Sequence, residues 1–134
     1  MPVPHRALRR GALVGALAAC LLSPALSRAA EVHHVGDISY VCGGVGEDAM
    51  NALKKMSPQF NLGFWMVEGP RGAYLADVPI RIEKQGKTVA SFTASGPLCY
   101  VKAPAGRYTL VGTHKQQQRR ITLQTGNKNA YLRW

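Results

Sequence analysis

Acidic side chains are scarce in this sequence, with seven Asp and Glu against 17 Lys and Arg in 134 residues. The seven, Glu31, Asp37, Glu47, Asp48, Glu68, Asp77 and Glu83, contain one adjacent pair, Glu47-Asp48. That pair opens a helical pattern, where the helix dipole accounts for it. Catalysis by paired carboxylates and calcium binding by an acidic loop both need acids that converge, and this spacing supplies neither. Histidine is also rare: beyond the first thirty residues there are only His33, His34 and His114. No zinc-ligand spacing and no Ser-His-Asp arrangement is present. The longest apolar run, residues 11–22, is far short of the roughly 20 residues that a membrane-spanning helix needs. These absences argue against an enzyme, against any cofactor and against a transmembrane segment in the mature chain.

What is present begins with a leader. His5, Arg6, Arg9 and Arg10 make a basic n-region, residues 11–22 an apolar h-region, and Ser27-Arg28-Ala29 a small-residue cleavage site. Residues 1–29 are therefore expected to be a signal peptide, and residues 30–134 one exported domain of about 105 residues, enough for a single sandwich core. A second reading stands beside it. Leu17-Ala18-Ala19-Cys20 resembles a lipobox, which would make Cys20 a lipid anchor, although Leu21 and Leu22 prolong the apolar run past it. The expected location is periplasmic or secreted.

Of three cysteines, Cys42 and Cys99 remain after the leader. In an oxidising compartment two cysteines are expected to pair, here near an end where two sheets approach. The mature charge is positive, 13 Lys and Arg against 7 Asp and Glu. The positives are spaced like outward-facing strand and turn positions, and among them Lys115, Arg119 and Arg120 are candidate contacts for an anionic partner. Nucleic acid is not the expected partner, because the aromatic residues that accompany the positives are in phase with a core.

Hydrophobic periodicity gives an all-β reading. Residues 30–36 form a polar lead-in and 38–42 a first strand, followed by Gly43-Gly44-Val45-Gly46, a flexible exit without a phosphate-loop pattern. Residues 47–56 form one short amphipathic helix with Ala49, Met50, Leu53 and Met56 on one face, ended by Pro58 and suited to close an open end of the sandwich. Leu62, Phe64 and Met66 then alternate with Trp65 and Val67, and Val78, Ile80 and Ile82 with Pro79, Arg81 and Glu83. Pro79, lacking an N–H, belongs at an edge or bulge. Gln116-Gln117-Gln118 reads as a loop tip, and Ala130, Leu132 and Trp134 alternate with Tyr131 and Arg133 in a last strand. Two apolar runs around Leu98 and Leu110 are joined by Ala103-Pro104-Ala105-Gly106, which reads as a β-hairpin turn: Pro104 presets φ, Gly106 takes positive φ, and Tyr108 sits just inside. Seven or eight strands with one helix make an antiparallel β-sandwich.

The turn Pro104-Ala105-Gly106-Arg107-Tyr108 resembles the P-x-G-x-Y turn of carboxypeptidase regulatory-like domains. Asn61-Leu62, the segment 72–78 and Gly96-Pro97-Leu98 are similar to a small exported branch of that group, and the likeness runs from Tyr40 to Trp134. The resemblance implies a transthyretin-like seven-stranded sandwich acting as a non-catalytic accessory or binding module, without the peptidase domain. The expected function is thus a structural or interaction role in the cell envelope, with an unidentified protein, carbohydrate or anionic polymer as partner. The alternative is copper or nickel binding. A chain beginning Glu31-Val32-His33 would offer an α-amine, two amides and an imidazole in a square plane, with His34 adjacent.

Overall fold

A computed structural model describes residues 30–134. The leader, its cleavage site and Cys20 lie outside the described residues. Ten strands form two sheets: β1 (His33–Val35), β2 (Ile38–Gly43), β3 (Leu62–Glu68), β4 (Ala73–Tyr74), β5 (Val78–Lys84), β6 (Lys87–Ala94), β7 (Leu98–Lys102), β8 (Arg107–His114), β9 (Gln117–Gln124) and β10 (Ala130–Arg133). One sheet has the order β1-β2-β7-β3-β10, with β4 also paired to β3; the other has the order β6-β5-β8-β9. The helix α1 (Glu47–Lys54) and a single 3-10 turn at Ser57–Gln59 connect β2 to β3.

The two inner faces meet in one core. Leu62, Phe64, Met66, Val101 and Leu132 of the first sheet pack on Ile80, Ile82, Ala90, Tyr108 and Leu110 of the second. Period-two alternation puts these residues on one side of each strand. The expected phases of β3, β5 and β10 are all observed, as the burial of Leu62, Ile80 and Leu132 shows. Pro79 lies one residue before the β5–β8 ladder begins at Ile80, and the bulge of β5 falls instead between Ile82 and Glu83.

Besides the position of Pro79, five expectations about strand number and pairing, turns and helix placement are corrected. The strands number ten, because His33–Val35 pairs with β2 as a hairpin and is not a loose lead-in. The last strand, β10, runs parallel to β3, while the other pairs are antiparallel. Gln117 and Gln118 belong to β9, and the turn before them consists of Lys115 and Gln116, both at positive φ. Leu98–Lys102 and Arg107–His114 do not form a hairpin. The first lies between β2 and β3, the second between β5 and β9, so residues 103–106 carry the chain from one sheet to the other. Asn61 holds the departure point: its side-chain amide donates to Ala103 O (2.7 Å) and accepts from Ala103 N (3.0 Å). The Tyr108 hydroxyl donates to Pro104 O at 2.7 Å, a bond back to the upstream backbone of the kind that fixes corners in β-sandwiches.

The fifth correction concerns α1, which does not close an end of the sandwich. Met50 and Leu53 lie on the outer face of the first sheet, against Val41, Trp65, Val67, Leu98 and Tyr100, and make a second apolar layer. β3 is consequently buried on both faces. Ala49, expected on the apolar side, is exposed.

Cys42 and Cys99 form a disulfide. They face each other on adjacent strands β2 and β7 with Cα atoms 4.1 Å apart, so the bridge staples one sheet and does not join two.

Candidate functional site

Among the described residues four large apolar side chains are exposed: Val35, Val45, Tyr74 and Tyr131. Tyr74 and Tyr131 lie on the outer face of the first sheet, and Val45 stands in the loop before α1, across a depression from Tyr74. Trp65, 8% exposed, stacks on Tyr74 (centroids 5.5 Å apart, 21° between planes) and on Tyr131 (6.1 Å, 13°). Tyr74 and Tyr131 remain 61% and 49% exposed. The two exposed rings are joined through the Trp65 indole into one contiguous apolar row, a feature that marks a candidate interaction surface.

The backbone around these rings is held firmly. Tyr131 is the register partner of Trp65 on β10. Tyr74 pairs with Val67 across the turn at residues 69–72, and Leu75 N donates to Met66 O at 3.1 Å. Arg133 closes that turn, its guanidinium donating to Gly69 O at 2.8 Å. From the last turn of α1, Lys54 brings its ammonium to 5.5 Å from the Trp65 ring, a cation–π contact that covers the indole.

Beyond Tyr74 the surface dips toward the glycine loop. One depression of 270 Å³ is lined by Gly44, Gly46, Glu47, Met50, Asn51 and Tyr74. A second, of 200 Å³, lies between Tyr74 and Val45, with Ala76 and Pro97 at its side. Gly44 has φ of 93°, a backbone conformation that residues with a Cβ rarely adopt, so glycine is favoured where the loop passes Met50. Glu47 and Asn51, one helical turn apart, supply the polar groups of the first depression.

The cations singled out in the sequence do not form one patch. Arg120 donates to Glu83 Oε1 at 2.9 Å, and Arg81 approaches the other carboxylate oxygen at 3.3 Å. Arg119 points the other way along β9 and donates to Arg133 O, Gln118 O and Gln117 Oε1. Lys115 lies 3.4 Å from Glu68, which also bonds His114 Nε2 at 2.6 Å. Both carboxylates are held below the ordinary value of 4.5: Glu68 chiefly by the hydrogen bond from His114, and Glu83 chiefly by that from Arg120, with burial opposing in each case.

The candidate metal-binding histidines are likewise placed in the fold. His33 stacks on Tyr40 (5.1 Å), which stacks on Phe92 of the opposite sheet (3.8 Å). His34 bonds Ser39 Oγ at 2.8 Å. As neighbours on a strand the two rings project to opposite sides. The stack occupies one face of the His33 ring and leaves the ring nitrogens at its edge. Among the described residues no three His, Cys, Asp or Glu side chains group as a metal site, and no helix is long and apolar enough to cross a membrane.

Tyr74, Trp65 and Tyr131 are not prominent in the sequence as a site. The available signal was aromatic residues on the outward phase of strands, Trp65 opposite Phe64 and Met66, and Tyr131 opposite Leu132. No family model, curated protein or solved structure matches the chain.

Proposed function

We propose that this protein is a non-catalytic, exported β-sandwich module, of the carboxypeptidase regulatory-like kind, that binds carbohydrate of the cell envelope through the outer face of its first sheet. The observation that carries the reading is the stacked row Tyr74–Trp65–Tyr131, with its outer rings open to water. A pyranose presents a face of C–H groups, weakly positive, that suits the negative face of an aromatic ring. Its hydroxyl rim needs a few polar partners, and Glu47 and Asn51 stand beside Tyr74 to provide them. Lys115, Arg119 and Arg120 already serve the protein's own carboxylates and carbonyls, which favours this face over an anionic polymer bound at those cations. The Cys42–Cys99 bridge fits an oxidising compartment. The corner built by Pro104 and Tyr108 supports the family reading, as does the two-sheet architecture.

The test is retention of the full chain on insoluble envelope polysaccharide, measured by depletion from solution. Tyr74→Ala should weaken retention about tenfold or more, equivalent to ~1.4 kcal/mol, whereas Tyr74→Phe should keep it. Equal retention of Tyr74→Ala and the parent would overturn the assignment to this face.

A further inference from the structure

The fourth exposed apolar residue, Val35, lies elsewhere. It lines a cleft of 320 Å³ at one end of the sandwich, together with Asp37, Ile38, Lys84, Val89 and Tyr108. Three connections meet there: the β1–β2 turn, the β5–β6 turn and the arch that leads into β8. The walls are apolar. Ile38 and Tyr108 are almost wholly buried at 3% and 2% exposure, and Val89 is half-buried above them.

Two opposite charges stand in this cleft without forming an ion pair. The Lys84 ammonium is poised 5.1 Å from the centre of the Tyr108 ring. That ring is itself fixed by the bond from its hydroxyl to Pro104 O. The ion pairs among the described residues are Arg81 and Arg120 with Glu83, and His114 and Lys115 with Glu68, so neither Lys84 nor Asp37 is part of one. An aromatic face tolerates an ammonium but does not neutralise it. The cleft therefore offers one site for an anion, one for a cation and an apolar wall between strands.

We propose that this cleft binds a small apolar zwitterion, a free α-amino acid with a branched aliphatic side chain. Its carboxylate meets Lys84, its ammonium meets Asp37, and its side chain lies against Val35 and Val89. At 320 Å³ the cleft lies at the small end of the roughly 300–1,000 Å³ typical of small-molecule sites, which suits a ligand of amino-acid size. A ligand with one charge would leave the opposite residue facing it unpaired, which is how a site of this kind rejects simple carboxylates and amines. The cleft lies away from the aromatic row, so this inference stands independently of carbohydrate binding.

The probe is L-leucine added to the full chain with ¹³C-labelled Ile and Val methyls, followed by NMR. The shifts of the Ile38, Val35 and Val89 methyls should move together and saturate with Kd of about 1 mM, as expected for so small a ligand. 4-Methylpentanoate and 3-methylbutylamine, which keep one charge each, should bind about tenfold more weakly or worse. Lys84→Gln should weaken leucine about tenfold and leave the amine unaffected, while Asp37→Asn should weaken leucine and leave the carboxylate unaffected. Thermal midpoints of both variants verify that they fold. The proposal is overturned if leucine moves none of these methyls at 50-fold above ~1 mM, if a singly charged analogue binds as well as leucine, or if folded Lys84→Gln binds leucine like the parent.

Discussion

Tyr108 illustrates how one side chain serves two levels of the structure. Its ring fills the inner face of β8 while its hydroxyl reaches back to Pro104 O, so the residue packs the core and sets the angle at which the chain enters the second sheet. Tyr108→Phe keeps the ring and deletes the bond. Because Pro104 is exposed and its carbonyl can turn to water, the expected loss is about 1 kcal/mol, read as a lower urea midpoint with unchanged slope. A midpoint identical to the parent would show that the corner is held by Pro104 and Asn61 alone. Gly96 is constrained for another reason: a Cβ there would collide with Gly43 O on the neighbouring strand, so the β2–β7 end closes only around a bare backbone. Gly106, at φ of 156°, sits at the edge of the region open to glycine, and its amide donates to Thr125 Oγ1 at 3.1 Å.

Among the elements, α1 departs furthest from its expected role. Its sequence, with Glu47 and Asp48 in the first turn and Lys54 in the last, complements the helix dipole and would suit a helix anywhere on the surface. What places it is the outer face of the first sheet, where Val41, Trp65, Val67 and Leu98 form an apolar floor that needs cover. Leu53, 1% exposed, is the main link. Leu53→Ala should destabilise the protein by about 2–5 kcal/mol, measured by denaturant unfolding, as for other fully buried leucines. A change below ~1 kcal/mol would mean that the helix rides loosely on the sheet. β4, only two residues long, owes its position to the turn before it and the Arg133 clamp, and it thereby decides where Tyr74 stands.

At the scale of the whole molecule, two features set the conditions under which the fold persists. The disulfide closes a separation of 57 residues, for which the chain-entropy model gives about 4 kcal/mol. Reduction should lower the urea midpoint accordingly, and an unchanged midpoint would show that the first sheet does not depend on its staple. Glu68 and Glu83 tie distant strands together, Glu68 bonding His114 and Lys115 of the β8–β9 end, and Glu83 bonding Arg120 of β9. Their folded pKa values lie below the ordinary 4.5, so the stability they contribute is complete above that value. It is lost as pH falls through the lowered folded values. Glu83→Gln should flatten the acid limb of a thermal-midpoint profile, and a profile parallel to the parent's would assign the acid dependence to other groups.

Strand phase could be read locally because side chains alternate by two whatever the partner strand is. The faces of β3, β5 and β10 followed from Phe64, Ile80 and Leu132 for that reason, and the amphipathic pattern around Met50 and Leu53 announced a helix in the same way. Pairing of Cys42 with Cys99 was also an expectation of composition and compartment. Partners were not legible. The segment Ala103-Pro104-Ala105-Gly106 has the composition of a hairpin turn, yet whether it returns along its own strand or crosses to another sheet depends on Asn61, more than forty residues upstream, gripping Ala103. The parallel β10, the helix on the outer face and the convergence of Trp65, Tyr74 and Tyr131 are of the same kind. Each joins residues distant in the chain, and no local pattern encodes which distant surfaces will meet. The sequence by itself determined the alternation of the strands and the pairing of the two cysteines; only tertiary packing decided where the turns led, which sheet each strand joined, and therefore which aromatic rings were left facing water.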